Sequence, residues 1–318
     1  MPITLADAKN LSQSKLTNFV IDEFRKSALL DRLTFDNTVK PQGGKTMAYV
    51  YNRVSTAATA ATRAINTEYT PQEAKTSQVT VNLGVFGGAF EIDRVIAENE
   101  QQVLDLVQFQ IQQKTQATIA LFHDLFINGD TTSNAHGFDG LSKALKGKNT
   151  EISANSVDLS DSAKITSNWQ SFLDLFRKLR GKMDGAPTLY LMNSDMFATF
   201  QSVADRAGLN TATKDGYGGE VMTFGQSTLM SLGDKAGTAD PIIPTASGLT
   251  DIYAVRLGLD GVHGVSPEGN KLVRTYLPDF NTPGAVKRGE VEMIASMAVK
   301  STRSAAVLRG IRIAPASA

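Results

Sequence analysis

A few constellations in this sequence have residue types that can do chemistry. Gly43-Gly-Lys-Thr46 carries the closing residues of a phosphate-binding loop, where backbone N–H groups cradle phosphate and the lysine neutralises it. That loop needs a further Gly at position 39, where Val39 stands. The stretch after Thr46 is also strand-like, whereas the loop must lead into a helix N-terminus. Gly216-Tyr-Gly-Gly219 opens like a dinucleotide fingerprint, but its third Gly falls on Val221. His123, His136 and His263 have no second His or carboxylate at a metal-ligand spacing such as H-E-x-x-H. They read as satisfied structural histidines. Glu91 and Asp93 share one face of a strand, yet paired carboxylates mean little without a pocket. There is no Gly-x-Ser-x-Gly elbow and no Cys, which removes thiolate nucleophiles, thiolate metal sites and disulfides. The expectation is a chain with no catalytic residue, no cofactor and no metal.

Composition points to other work. With 42% hydrophobic and 20% charged residues, 318 residues can bury a packed core as one large domain or two ordinary ones. Lys and Arg total 32 and so do Asp and Glu, so the basic excess of a protein that grips phosphates is absent. Neutrality suits a surface that meets copies of itself without strong repulsion. The polar start, Met1 to Asn10, lacks the apolar core of a signal peptide, and no apolar stretch reaches the roughly 18–20 residues that span a bilayer. A soluble, cytoplasmic setting is expected, with no membrane partner.

The elements that would position any surface emerge from periodicity. Residues 1–37 read as a polar arm with short helices, with Leu16, Phe19, Val20 and Phe24 on one stripe. Met47–Val50 and Val79–Phe86 look like strands, the second alternating through Val79, Val81, Leu83 and Val85. Between them lies Ser55-Thr-Ala-Ala-Thr-Ala-Ala-Thr62, whose small residues cannot build a core. The connection is too long for a tight hairpin turn, so a long two-stranded extension is expected. A lone ribbon of this kind is marginal in water and needs support from its own domain or from another subunit.

A helix is expected over 97–127, with Val103, Val107, Ile111, Phe122 and Phe126 at near-fourfold spacing and a Gln-rich opposite face. It would span roughly 45 Å at the helical rise. Beyond Ala135 the texture becomes mixed. Asn168 is expected to cap a helix with Trp169, Phe172, Leu173, Phe176 and Leu179 buried. Thr188–Met192 reads as a strand, Asn193 or Ser194 as the start of another helix, and 210–219 as a mobile loop. Further strands are expected at Val221–Phe224 and Ile252–Leu257, then at Leu272–Leu277, Ala285–Lys300 and Ala306–Ile313. The fold class is α+β.

The order of parts carries a resemblance. A polar arm precedes a long extended loop holding Arg63-Ala-Ile-Asn-Thr-Glu-Tyr69. A long helix ends in Phe126-Ile-Asn-Gly-Asp130, and a turn, Gly137-Phe-Asp-Gly-Leu141, leads into a mixed α/β unit followed by long C-terminal strands. The chain resembles the major capsid proteins of tailed bacteriophages with the Hong Kong 97-like fold, including those that begin with a stretch like Leu5-Ala-Asp-Ala-Lys9.

That resemblance implies an N-terminal arm at 1–37 and an extended loop at 38–93. It implies a peripheral domain from 94–134 and 260–300, with its spine helix at 97–127, and an axial domain from 135–259 and 301–318. It implies self-assembly as hexamers and pentamers into an icosahedral shell that encloses double-stranded DNA through weak, non-specific contact. The shell would be part of a virion and would assemble in the host cytoplasm. The candidate inter-subunit contacts are Arg53, Arg63, Glu68, Tyr69 and Lys75 in the loop, Phe19 and Phe24 in the arm, and Tyr217 in a Gly-rich loop directed at a symmetry axis. Portal, scaffold and decoration proteins are possible partners. Because the sequence starts with the arm, a scaffold is expected to be a separate protein or absent. Lys45 and Lys75 lie in the loop, but no motif marks either as reactive, and no crosslink is expected. Two rivals remain open: an encapsulin-like nanocompartment on the same fold, and an unrecognised α/β enzyme with its site between Gly137 and Leu257.

Overall fold

A computed structural model describes residues 29–38, 46–100, 106–154, 157–209, 212–214, 220–268 and 273–315. After helix α1 (Leu29–Arg32) come β1 (Phe35–Asn37), β2 (Ala48–Thr56), β3 (Lys75–Asn82) and β4 (Gly84–Asp93). Helices α2 (Arg94–Glu100), α3 (Leu106–Asn128) and α4 (Leu141–Leu145) are next, then β5 (Glu151–Ser153), α5 (Ser162–Gly181), β6 (Leu189–Met192) and α6 (Ser194–Arg206). The remaining strands are β7 (Ala212–Lys214), β8 (Glu220–Phe224), β9 (Ser227–Ser231), β10 (Leu249–Val255), β11 (Val262–Ser266), β12 (Val273–Tyr276), β13 (Val286–Val299) and β14 (Ala305–Arg312).

The seven-stranded sheet runs β5-β14-β10-β6-β9-β8-β7, and strand alternation gives it two buried faces. On one face Tyr190, Met192, Ile252, Ala254, Ala306 and Leu308 meet Phe172, Phe176, Leu179 and Phe200 of α5 and α6. Leu189, Leu191, Tyr253, Val255 and Val307 point the other way, towards Phe122, Phe126 and Ile127 of α3. The same cluster takes in Val262, Met293, Ala295 and Met297 from the second sheet. The end of α3 is therefore the shared filling between two sheets.

That second sheet has the order β1-β11-β13-β12, with β4 also on β13. β13 is its axis. It pairs with β4 from Val286↔Asp93 to Ala295↔Gly84, and on its other side with β12 and then β11. Gly87 and Gly289 make the β4–β13 approach possible: a Cβ at Gly87 would strike the Val291 carbonyl, and one at Gly289 the Phe90 ring.

The third unit is a two-stranded ribbon, β2 with β3, in register from Ala48↔Asn82 to Thr56↔Lys75.

Several sequence expectations need correction. Val79–Phe86 is not one strand. The ribbon ends at Asn82, Leu83 turns into the interior with its N–H on the Met47 carbonyl (2.9 Å), and β4 starts at Gly84 in a different sheet. Residues 84–93, expected in the extended loop, are thus a paired strand of the body. The helix expected over 97–127 is described as α2 and α3, with 101–105 outside the described residues. The cap of α5 is Asp161, whose carboxylate accepts from the Lys164 N–H. Asn168 lies mid-helix and donates to the Asp158 carbonyl (2.9 Å). Part of the loop expected at 210–219 is strand β7, paired with β8. The arm stripe Leu16 to Phe24 and the Gly43–Lys45 stretch lie outside the described residues.

Candidate assembly surface

The two motifs that ended the long helix and opened the mixed unit meet in space. Gly140 donates its N–H to the Gly129 carbonyl (2.8 Å), an approach so close that a Cβ on either residue would strike backbone. Lys143 then reaches back to Asp130 (2.6 Å) and Asp139 (2.8 Å). The Lys143 ammonium and the Thr132 hydroxyl and N–H hold the Asp130 carboxyl well below the usual carboxylate range. This ionic knot fixes the end of α3 to α4.

The body folds around its own cores, and the ribbon stands apart from them. It has a gripped root and a free tip. At the root, alternation sends Tyr49, Tyr51 and Arg53 to the body and leaves Val50, Asn52 and Val54 outside. The Tyr49 hydroxyl donates to Asp36 (2.6 Å) and that of Tyr51 to the Val299 carbonyl (2.7 Å). The Arg53 guanidinium lies over the Tyr51 ring and donates to the carbonyls of Val299 and Lys300. The apolar part of this joint is small: Leu83, Val265 and Ala298, flanked by Tyr49, Tyr51, Val81 and Ile294. Beside it an open cleft of about 430 Å³ separates Arg53 and Val81 from Phe138 and Met297.

The tip, residues 57–74, is exposed throughout. It is nevertheless shaped. Arg63 donates to the carbonyls of Ala64 (3.2 Å) and Thr67 (3.1 Å) and lies over the Tyr69 ring. Thr67 closes a turn on the Ala64 carbonyl through both its N–H and its hydroxyl. Asn66 takes φ 65°, a conformation that Asn tolerates better than most residues. The apex of this braced turn is Ile65, 89% exposed. A turn this short is normally polar, so an isoleucine at its apex is the residue that sequence reading overlooked; it sat in full view between Arg63 and Tyr69.

Of the expected contact residues, the structure brings Arg63 and Tyr69 together at the tip, with Glu68 exposed beside them and Lys75 exposed where the ribbon ends. Arg53 it turns inward, onto its own chain. Phe19, Phe24 and Tyr217 lie outside the described residues.

The histidines expected to be satisfied are not all so. His136 is exposed in its turn. His123 is buried on α3 with Nε2 unpartnered, and burial pushes its imidazole down to about 4. His263 is fully buried under the ribbon root, and neither ring nitrogen has a hydrogen-bond partner. Glu91 and Asp93 lie on β4 where it pairs with Arg288 and Val286. Among the described residues no group of His, Asp and Glu could hold a metal ion, and no helix is long and apolar enough to cross a membrane.

No family model and no curated protein sequence matches the chain. Solved structures do. The holo-SrpI encapsulin complex of Synechococcus elongatus PCC 7942 superposes with a TM-score of 0.68 at 15% identity, covering 100% of this chain and 99% of that one. The capsid of the Myoviridae phage XM1 gives 0.60 at 14% identity over 97% and 99%. A chain of Mycobacterium phage Bobi gives 0.61 at 12% identity over 100% of both. The capsid of a native GTA particle gives 0.60 at 12% identity over 98% and 100%. End-to-end likeness at such low identity is a statement about architecture: this chain has the Hong Kong 97-like capsid fold.

Proposed function

We propose that this chain is the major capsid protein of a tailed-phage head, a structural subunit that catalyses nothing. It self-assembles as hexamers and pentamers into an icosahedral shell around double-stranded DNA. One observation carries the reading: the tip at 57–74 is braced by its own hydrogen bonds yet exposed along its whole length, Ile65 and Tyr69 included. A shaped, apolar-tipped extension without cover on its own subunit is what a neighbour covers. Contacts of this heterologous kind close into rings when the rotation between copies allows. Because every copy both gives and receives one, each contact can be modest while the shell is stable. The residues assigned to the contact are Arg63, Glu68, Tyr69 and Lys75, with Ile65 added at the apex. Phe19 and Phe24 of the arm and Tyr217 remain part of the proposal. Contact with packaged DNA would be weak and non-specific, in keeping with the neutral charge balance. Portal, scaffold and decoration proteins are the further partners, and the virion, assembled in the host cytoplasm, is the location.

The test is assembly. Purified full-length protein viewed by negative-stain microscopy and sized by light scattering is expected to form closed shells. Replacing 57–74 by a short Gly-Ser turn is expected to leave a folded subunit with nearly unchanged melting temperature and no shells. Wild-type protein that stays monomeric at high concentration sinks the reading.

A second reading has its own support, since the encapsulin superposes at 0.68 against 0.60 for the XM1 capsid. On that reading the shell holds a protein cargo. Nuclease-treated particles from producing cells separate the two: protected double-stranded DNA favours the head, an enclosed second protein without DNA the compartment.

A further inference from the structure

The ribbon root joins the body over an unusual floor. Face alternation in β11 and β13 places His263, Val265, Ile294, Ser296 and Ala298 on the side that the ribbon covers. Two of these are polar groups buried without partners, the Ser296 hydroxyl and both nitrogens of the His263 ring. Buried polar groups are nearly always hydrogen-bonded, and an exception asks for an explanation. Tyr49 of β2 forms the lid. Its ring meets the His263 ring edge-on at 5.7 Å, and its hydroxyl is tied to Asp36.

We propose that this joint is an acid-released latch: protonation of His263 loosens the ribbon root from the sheet and so frees the assembly loop to move. The inference rests on the ribbon's being the assembly element, but its test does not require shells to form.

The charged groups around His263 set the sign. Lys300, the residue after β13, lies over the Tyr49 ring (5.6 Å) and opposes a second positive charge on the imidazole. Asp36 of β1 and Asp260, in the turn before β11, favour that charge, and the Gly261 carbonyl approaches without closing a hydrogen bond of normal geometry. Tyr49 and Tyr51 of β2 bring only neutral hydroxyls, both donated elsewhere. Arg53 adds positive charge over the Tyr51 ring. Burial comes first and Lys300 second; together they outweigh the two carboxylates, and the docked imidazole titrates below its ordinary value.

A group whose proton affinity is lowered in the docked state makes docking strongest above its free value, about 6.5. Docking is lost as the pH falls from there through the lowered docked value. The opening equilibrium rises by up to about tenfold for each pH unit in that window. The part that opens is small in apolar terms, since the joint buries only a satellite cluster apart from the two main cores. It can therefore part without unfolding the body.

Hydrogen exchange of the full-length protein reads this directly. Amides of Ala48–Val54 and Ser77–Asn82 are followed between pH about 7.5 and about 5, with intrinsic exchange rates corrected for pH. The expected result is a loss of protection in these strands below pH about 6.5, with β6 and β10 unchanged. His263→Gln, neutral at every pH, is expected to flatten that dependence, and His263→Phe provides a second neutral variant should the first fold poorly. His123→Gln, which alters the other buried histidine, is expected to keep it. Protection in the ribbon that does not change with pH in the wild type, or that changes equally in the His263 variants, overturns the proposal. Shell formation by the wild type in either case leaves the reading of the ribbon as an assembly element standing.

Discussion

At the scale of single residues, the ribbon separates two roles that look alike in sequence. Arg53 and Arg63 both stand in a polar, small-residue stretch, and nothing in their neighbours says which one turns onto its own subunit. Pleat decides it. Arg53 shares a face with Tyr49 and Tyr51 and is drawn onto the carbonyls that end β13. Arg63 lies beyond the last ladder pair and braces the turn that presents Ile65. On the proposed reading a neighbour buries this isoleucine, which is worth about 1.5–3 kcal/mol at each copy of the contact. Ile65→Asp is therefore expected to leave the subunit's melting temperature within about 1 °C, as an exposed substitution should. It is expected to raise the concentration at which shells appear by tenfold or more, about 1.4 kcal/mol per contact. Light scattering against concentration checks this. An unchanged threshold removes Ile65 from the interface and leaves Tyr69 as the tip's apolar contact.

At the scale of elements, legibility tracks the length of a pattern. β13 alternates over enough residues to be read as one long strand, and Val291, Met293, Ala295 and Met297 are buried as expected. The stripe of α5 from Phe172 to Leu179 is equally plain. β11 escapes sequence reading because Val262–Ser266 is buried on both faces and so does not alternate, and it contains a glycine and a histidine. The break at Leu83 escapes it because Val79, Val81, Leu83 and Val85 alternate straight through a change of sheet; period alone does not say which partner a strand pairs with. Asn168 looks like the start of α5 because the polar turn before it, Ser162 to Ser167, resembles loop. In the fold those residues are helix, and Asp161 is the residue with extended backbone whose carboxylate accepts from Lys164. Capping predicts the difference. Asp161→Ala is expected to cost about 1 kcal/mol in urea unfolding. Asn168→Ala, which gives up one partly buried hydrogen bond to Asp158, is expected to cost less. The reverse order would return the cap to Asn168.

At the scale of the whole molecule, the balance of 32 basic and 32 acidic side chains bears on how copies meet. A strongly charged subunit repels its copies and assembles only when salt or a counter-ion screens it. Here no net charge needs screening. Several of the described charges are also paired within the subunit: Lys143 with Asp130 and Asp139, Arg256 with Asp184 and Asp260, Arg309 with Glu151 and Asp251. On the proposed reading the apolar tip is then the attractive term, and apolar association is insensitive to ionic strength compared with exposed charge pairs, which are screened beyond about 10 Å at 0.1 M salt. The assembly threshold is accordingly expected to move by less than about tenfold between roughly 50 mM and 500 mM sodium chloride, without divalent cations. A threshold that climbs steeply with salt would mean that opposite charges on facing rims, not Ile65 and Tyr69, hold the copies together. Glu68 and Lys75, two of the exposed charges at the tip and its base, would then be the residues to reverse first.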